Sequence, residues 1–309
     1  MPELYIVNFM DSVTAESIFA MKRLRKNGDY MDHCFKAFGL KIASEIPLAL
    51  PEEMGEAEVV VRRERIAFQP ETEGVRLEVA GVARFLIREG REILVDAGED
   101  VKPELLGVYV LGSCMGAIQY QRGGLLLHGS CVAREGKGIL LIGDSGVGKS
   151  TMARELITRG WRLVTDDVAS IVLKDGCYCV QASYPSQKLW QDAMTMYSLE
   201  GRPLWQKERE EKFNVDVTAC FQAGLTPLRA VVRLFAGEMC ELAPVENIAR
   251  VDQLMRNLYR PYMIRKDDRE KYFQRCVDMA DEVPMYLGVR TGEKGGTKQL
   301  CNKLEEAFR

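Results

Sequence analysis

The tightest constraint on this chain is the stretch from Gly138 to Asp167, GILLIGDSGVGKSTMARELITRGWRLVTDD. Ile139, Leu140, Leu141 and Ile142 make an apolar run of buried-strand length. Gly143-Asp144-Ser145-Gly146-Val147-Gly148-Lys149-Ser150 follows with the spacing G-x-x-x-x-G-K-[ST] of a phosphate-binding loop. Such a match carries weight only between a strand and a helix. Here Met152, Ala153, Leu156 and Ile157 supply a helical apolar stripe that Gly160 can terminate.

Each residue type in the loop answers a separate need. The glycines admit backbone conformations in which successive N–H groups turn inward on an anion. Lys149 brings a flexible cation to the outer phosphates and Ser150 offers a hydroxyl to Mg²⁺. The first helical turn, which includes Thr151, points its positive dipole end at the same place. The loop from Gly143 to Thr151 is therefore expected to bind ATP. The next strand, Trp161 to Thr165, ends on Asp166 and Asp167, where a sheet's crevice would hold a ligand. One carboxylate there can hold a metal while its neighbour addresses the reacting oxygen. Val168–Val172, Lys174-Asp175-Gly176 and Cys177–Ala182 then read as a β-hairpin. Most phosphate-loop hydrolases continue with parallel βα units, so this continuation points to another class.

Three linked motifs carry a resemblance: Leu127-His128-Gly129-Ser130, Gly143–Ser150 and Arg162-Leu-Val-Thr-Asp-Asp167. In this order the chain resembles the kinase domain of HPr kinase/phosphorylase, of the phosphoenolpyruvate-carboxykinase-like group. It is similar to the shorter relatives, some of which phosphorylate a serine of a peptide or a small molecule. The resemblance implies an α/β fold, with a phosphoenolpyruvate-carboxykinase-like P-loop kinase core and a small β-rich N-terminal domain. It implies Asp166 as the base, tuned by His128, with Lys149 as the third catalytic group. Asp167 and Ser150 would form the Mg²⁺ shell, and Lys188 would face phosphate. The same resemblance puts Tyr184, Trp190, Trp205, Lys188 and Arg265 on the acceptor side, and it implies a homo-oligomer. The Gly-rich segment with a following Arg that marks the true HPr kinases is missing downstream of the hairpin, which leaves the acceptor open.

The flanking sequence sets the domain expectation: residues 1–100 as a small β-rich domain and 101–309 as the kinase domain. Ser12 or Thr14 can cap a helix ending at Gly28. Strands are expected at Phe35–Ile42, Val59–Val61, Ile66–Phe68, Val75–Val79, Ala83–Ile87 and Glu92–Val95. A helix is expected over Glu104–Tyr120 and a strand over Leu125–Leu127. After the hairpin, Tyr184–Trp190 turns into a helix through Met196, and Lys212 is a further cation able to reach the site. Leu228–Phe235 and Pro284–Val289 read as strands; Val251–Tyr259, Asp267–Asp281 and Thr297–Phe308 read as helices.

The 309 residues are 47% hydrophobic and 28% charged with net charge −3, which gives no reason to expect nucleic acid or an anionic membrane as partner. The nine cysteines lack metal spacing, and Met1-Pro-Glu-Leu does not open a secretory leader, so a cytoplasmic protein is expected. The reading at this stage is an ATP- and Mg²⁺-dependent kinase acting on a serine of a peptide or protein. Two alternatives stay open, a kinase of free serine or another metabolite and a non-catalytic nucleotide-binding regulator.

Overall fold

A computed structural model describes residues 34–67, 73–204, 212–246, 248–293 and 295–308. The helix expected before Gly28 and Trp205 lie outside them. The chain is mixed α/β with three sheets, and it divides into two compact units. One runs up to Lys36 and includes Leu40–Arg122; the other comprises Ala37–Gly39 and Gly123–Arg309.

The first unit contains a six-stranded sheet of β1 (Cys34–Ala37), β2 (Leu40–Ser44), β3 (Val59–Arg63), β4 (Val75–Val79), β5 (Ala83–Arg88) and β6 (Glu92–Ala97), in the order β1-β2-β3-β6-β5-β4. The expected single strand Phe35–Ile42 is instead a hairpin. Phe38 and Gly39 both take positive φ, 53° and 75°, which is the two-residue turn that matches strand twist. Ile66 lies outside any strand. The helical segment that follows is continuous through α1 (Pro103–Tyr109), a π-helical turn at Val110–Cys114 and α2 (Met115–Gln121). Its middle is fully buried, from Val110 through Tyr120. Among the described residues no helix is long and apolar enough to cross a membrane.

In the second unit β7 (Leu125–Arg134) is the organising strand. Its first half pairs with β10 (Val168–Lys174), and its second half pairs with β8 (Lys137–Ile142) and β9 (Arg162–Thr165). The sheet runs β11-β10-β7-β8-β15-β17-β16, with β11 (Cys177–Gln181), β15 (Leu225–Gly237), β16 (Glu241–Val245) and β17 (Met285–Thr291). Pairing of β11 with β15 closes a circuit through five of these strands. The β10–β11 hairpin turns at Asp175-Gly176, both with positive φ, as their sequence demands.

Strands β8, β15 and β17 are parallel, so their C-terminal ends share one edge. Helix α3 (Lys149–Thr158) follows β8 and presses Met152, Ala153 and Leu156 into a core that includes Leu141, Val232 and Leu304. Each of these six side chains is fully buried. Burying a side chain of leucine size contributes about 1.5–3 kcal/mol, so this cluster fixes the helix against the sheet. Tyr184–Trp190 does not lead straight into a helix. Ser186–Trp190 is a strand, β12, in a three-stranded sheet with β13 (Arg202–Leu204) and β14 (Lys212–Asp216), and α4 (Gln191–Met196) starts only after it.

The later elements are α5 (Ile248–Arg256), α6 (Arg269–Glu282) and α7 (Gly296–Ala307). Helix α5 stops three residues before the expected Tyr259, because Asn257–Tyr259 pairs with β7. His128 N–H donates to Asn257 O at 2.8 Å and Tyr259 N–H donates to Leu126 O at 2.9 Å.

Candidate active site

Register brings the three motifs to one place. His128 lies opposite Val168, the residue that follows Asp166-Asp167, while Gly129 lies opposite Ile142, the residue before the loop. Gly129 is there because nothing larger fits: a Cβ would sit 2.6 Å from Leu141 O. Ser130, 1% exposed, comes next on β7.

The loop Gly143–Gly148 joins β8 to α3 with Gly143, Gly146 and Gly148 all at positive φ. Lys149 is folded back into it, Nζ donating to Gly143 O at 2.7 Å and to Asp144 O at 2.9 Å. Burial pulls the Lys149 ammonium down to about 8, although Asp167 and Asp166 oppose the shift. Asp144 extends into solvent and pairs with Arg233 at 3.1 Å.

The two carboxylates have different surroundings. Asp166 is 5% exposed and its oxygens accept three hydrogen bonds. Oδ1 takes Ser130 Oγ at 2.5 Å and Ser150 Oγ at 2.9 Å, and Oδ2 takes the Lys188 N–H at 2.9 Å. Asp167 occupies the left-handed region at φ 74°, a strained position that Asp tolerates better than most residues. Its Oδ2 meets Lys188 Nζ at 3.0 Å, and its Oδ1 lies 3.4 Å from His128 Nδ1. His128 Nδ1 also lies 2.9 Å from Asp167 O. Both partners of Nδ1 are acceptors, so the proton belongs on that nitrogen and Nε2 keeps the open lone pair.

Burial raises the Asp167 carboxyl, but Lys188 and His128 outweigh it and hold the group well below the usual carboxylate range. Burial lowers the Lys188 ammonium, and Asp167 with Tyr184 more than reverses it, so Lys188 stays charged. Burial lowers His128 below its ordinary value despite Asp167, so the ring is neutral at pH 7.

The structure thus gathers His128, Lys149, Ser150, Asp166, Asp167 and Lys188, and it places the Ser150 hydroxyl on Asp166 rather than on Asp167. Ser145 and Thr151 lie in the loop and in the first turn of α3. On the expected acceptor side, Tyr184 is buried at 7% exposure and so offers no surface. Arg265 is exposed, and Trp190 is half-buried under Lys212, whose Nζ is 4.5 Å from the ring centroid. Sequence reasoning passed over Gln187, fully buried with Nε2 donating to Ser150 O at 3.0 Å, as well as Tyr259, Arg233 and Arg290. The Tyr259 ring lies 6.3 Å from His128. A charge inside the apolar run Val231–Phe235 was the available signal for Arg233.

Residues 98–295, well over half of the chain, match the family described as SynChlorMet cassette protein ScmC. The chain belongs to the ScmC family. This ScmC-family chain is also related to HPr kinase/phosphorylases. It is 40% identical over 100 residues to the one from Lactiplantibacillus plantarum, covering 29% of this chain and 32% of that protein. Against the enzyme from Clostridium beijerinckii it is 58% identical over 50 residues, 16% of this chain and 17% of that protein. The chain therefore spans about a third or less of the length of these curated relatives. The solved Hpr(Ser) kinase/phosphatase from Coxiella burnetii aligns with 59% of this chain and 90% of its own, at 12% identity and a TM-score of 0.33. These sequence relatives are named as kinase/phosphorylases.

Proposed function

We propose that the protein is an ATP- and Mg²⁺-dependent kinase that transfers the γ-phosphoryl group to a serine hydroxyl of a peptide or protein, built on a P-loop core. The observation that carries this reading is the convergence on one strand edge of a phosphate loop, a hydroxyl–carboxylate pair and a carboxylate–imidazole pair.

The donors present suit Mg²⁺. Ser150 Oγ and Asp166 Oδ1 are hard oxygens 2.9 Å apart. Among the described residues no group of three or more His, Cys, Asp or Glu could hold a metal ion. Ser150 and Asp166 would hold it, and bound Mg²⁺ would neutralise charge on the phosphate oxygens. This exchanges the roles first expected for the carboxylates. Asp166 faces Ser150 of the loop, whereas Asp167 faces His128 and Lys188.

Lys149 and the loop N–H groups bind the phosphate chain and orient it. The acceptor hydroxyl gives its proton to His128 Nε2, whose Nδ1–H is oriented by Asp167, while its oxygen bonds to the γ-phosphorus and the β–γ bridge bond breaks, leaving ADP. Positioning and charge stabilisation supply most of such a rate enhancement. Lys188, anchored by its backbone N–H to Asp166 and by Nζ to Asp167, locks the two carboxylates in their separate orientations. A protein acceptor agrees with the names of the relatives. The test is label transfer from γ-labelled ATP to peptides encoded beside the gene, with free serine as the second arm. Label on a peptide serine supports the reading, and label on free serine alone overturns the peptide preference.

A further inference from the structure

The phosphate loop meets arginines from both strands that continue the parallel sheet beyond β8, and the two are in opposite states. Arg233 of β15 has a side chain only 5% exposed and spends every nitrogen within the protein. Nε donates to Gln253 at 3.1 Å, Nη1 to Asn257 at 3.3 Å and Nη2 to Asp144 at 3.1 Å. It is a strut beneath the loop. Arg290, near the end of β17, spends only Nε, on Val147 O at 2.9 Å. Among the described residues neither of its Nη atoms has an acceptor, and no carboxylate lies within ion-pair distance of it.

The Arg290 guanidinium is laid against Gly148, the residue that caps α3. A Cβ on Gly148 would lie 3.1 Å from Arg290 Nε and 3.3 Å from both Cζ and Nη2. A planar cation is therefore held over the loop by one donor, with its remaining donors unspent beside backbone N–H groups suited to an anion. Fixing the side chain in advance removes part of the ordering cost of binding, and the guanidinium fork matches two oxygens of a phosphate.

We propose that Arg290 is a second phosphate-binding cation of the loop, which contacts the phosphate chain of a bound nucleoside di- or triphosphate in concert with Lys149. This rests on the nucleotide-site reading above. Arg290 touches the ligand in this account and takes no part in proton transfer.

The test is calorimetric titration of the full chain with Mg·AMP-PNP, Mg·ADP and inorganic tripolyphosphate, at low salt and at about 1 M salt, where the screening length falls to roughly 3 Å. Arg290→Gln should weaken binding of all three probes by about tenfold to a hundredfold at low salt, the range of a charge-assisted hydrogen bond. The deficit should shrink at high salt. Arg290→Lys, which keeps the charge, should stay closer to the wild type, and it serves as the test if Arg290→Gln fails to fold by its thermal midpoint. Wild-type affinity in Arg290→Gln, with binding lost in Lys149→Met, would overturn the proposal and leave the nucleotide site standing. Wild-type affinity in both variants would remove both readings. A deficit independent of salt and equal in Arg290→Lys and Arg290→Gln would mean that Arg290 shapes the loop, and would also overturn the proposal.

Discussion

Lys149 offers the sharpest quantitative consequence of the site. Its side chain is 7% exposed, and burial brings its ammonium from 10.5 to about 8. That displacement corresponds to roughly 3 kcal/mol of disfavour for the charged form at neutral pH. Two carbonyls, Gly143 O and Asp144 O, return part of this as hydrogen bonds, at about 1 kcal/mol each. In the proposed site an incoming polyphosphate would add counter-charge to that of Asp167 and Asp166. In the free protein about nine-tenths of the Lys149 population is charged at pH 7 and about one-tenth at pH 9. Anion affinity should therefore fall by about tenfold per pH unit above pH 8, and at pH 8 binding should draw in roughly half a proton. Titration calorimetry with Mg·ADP in two buffers of different ionisation enthalpy reads both quantities. The sign for stability is opposite. Between about 8 and 10.5 the unfolded chain binds more protons than the native one, so the free protein gains stability as pH rises through that window. Lys149→Met should accordingly abolish polyphosphate binding while its unfolding midpoint at pH 7 equals or exceeds the wild type. An affinity flat from pH 7 to 9.5 with no proton uptake would refute the reasoning.

Two further outcomes follow from the geometry. His128 has a folded value below its ordinary 6.5, so phosphoryl transfer should be level above pH 6.5 and decline only below it; a stability contribution present above 6.5 is lost over the same acid range as the partly buried ring is forced to charge. A pH–rate profile under single-turnover conditions checks this, and a limb centred above 6.5 would contradict it. Gly129→Ala brings a Cβ to 2.6 Å from Leu141 O and should cost about 1–3 kcal/mol of stability by denaturant unfolding, because β7 and β8 must part where the site is assembled.

The elements legible in the sequence were those whose cause is local. The apolar run Ile139–Ile142 and the stripe Met152, Ala153, Leu156 mark β8 and α3, and Asp175-Gly176 marks the β10–β11 turn. Phe38-Gly39 was missed because a bulky aromatic at positive φ hides a turn inside an apolar run. Helix α5 ends before its helical pattern does: the pattern continues into Leu258, while the backbone of Asn257–Tyr259 finds a better partner in β7. The site divides in the same way. The loop is a contiguous motif, but the partition of the carboxylates depends on Ser130 and Lys188, which reach Asp166 across 36 and 22 residues. Only tertiary register brings them there. Arg233 and Arg290 act on the loop from 89 and 143 residues away, and no spacing rule announces them.

Single-turnover transfer in Asp167→Asn, measured beside its nucleotide affinity, tests the division of labour most directly. The substitution keeps the shape and removes the carboxylate charge that orients His128 through Nδ1–H, while Asp166 and Ser150 are untouched. Transfer from γ-labelled ATP to the acceptor serine should fall by about 10² or more with Mg·AMP-PNP affinity within a few-fold of wild type. Full transfer in Asp167→Asn would contradict the account.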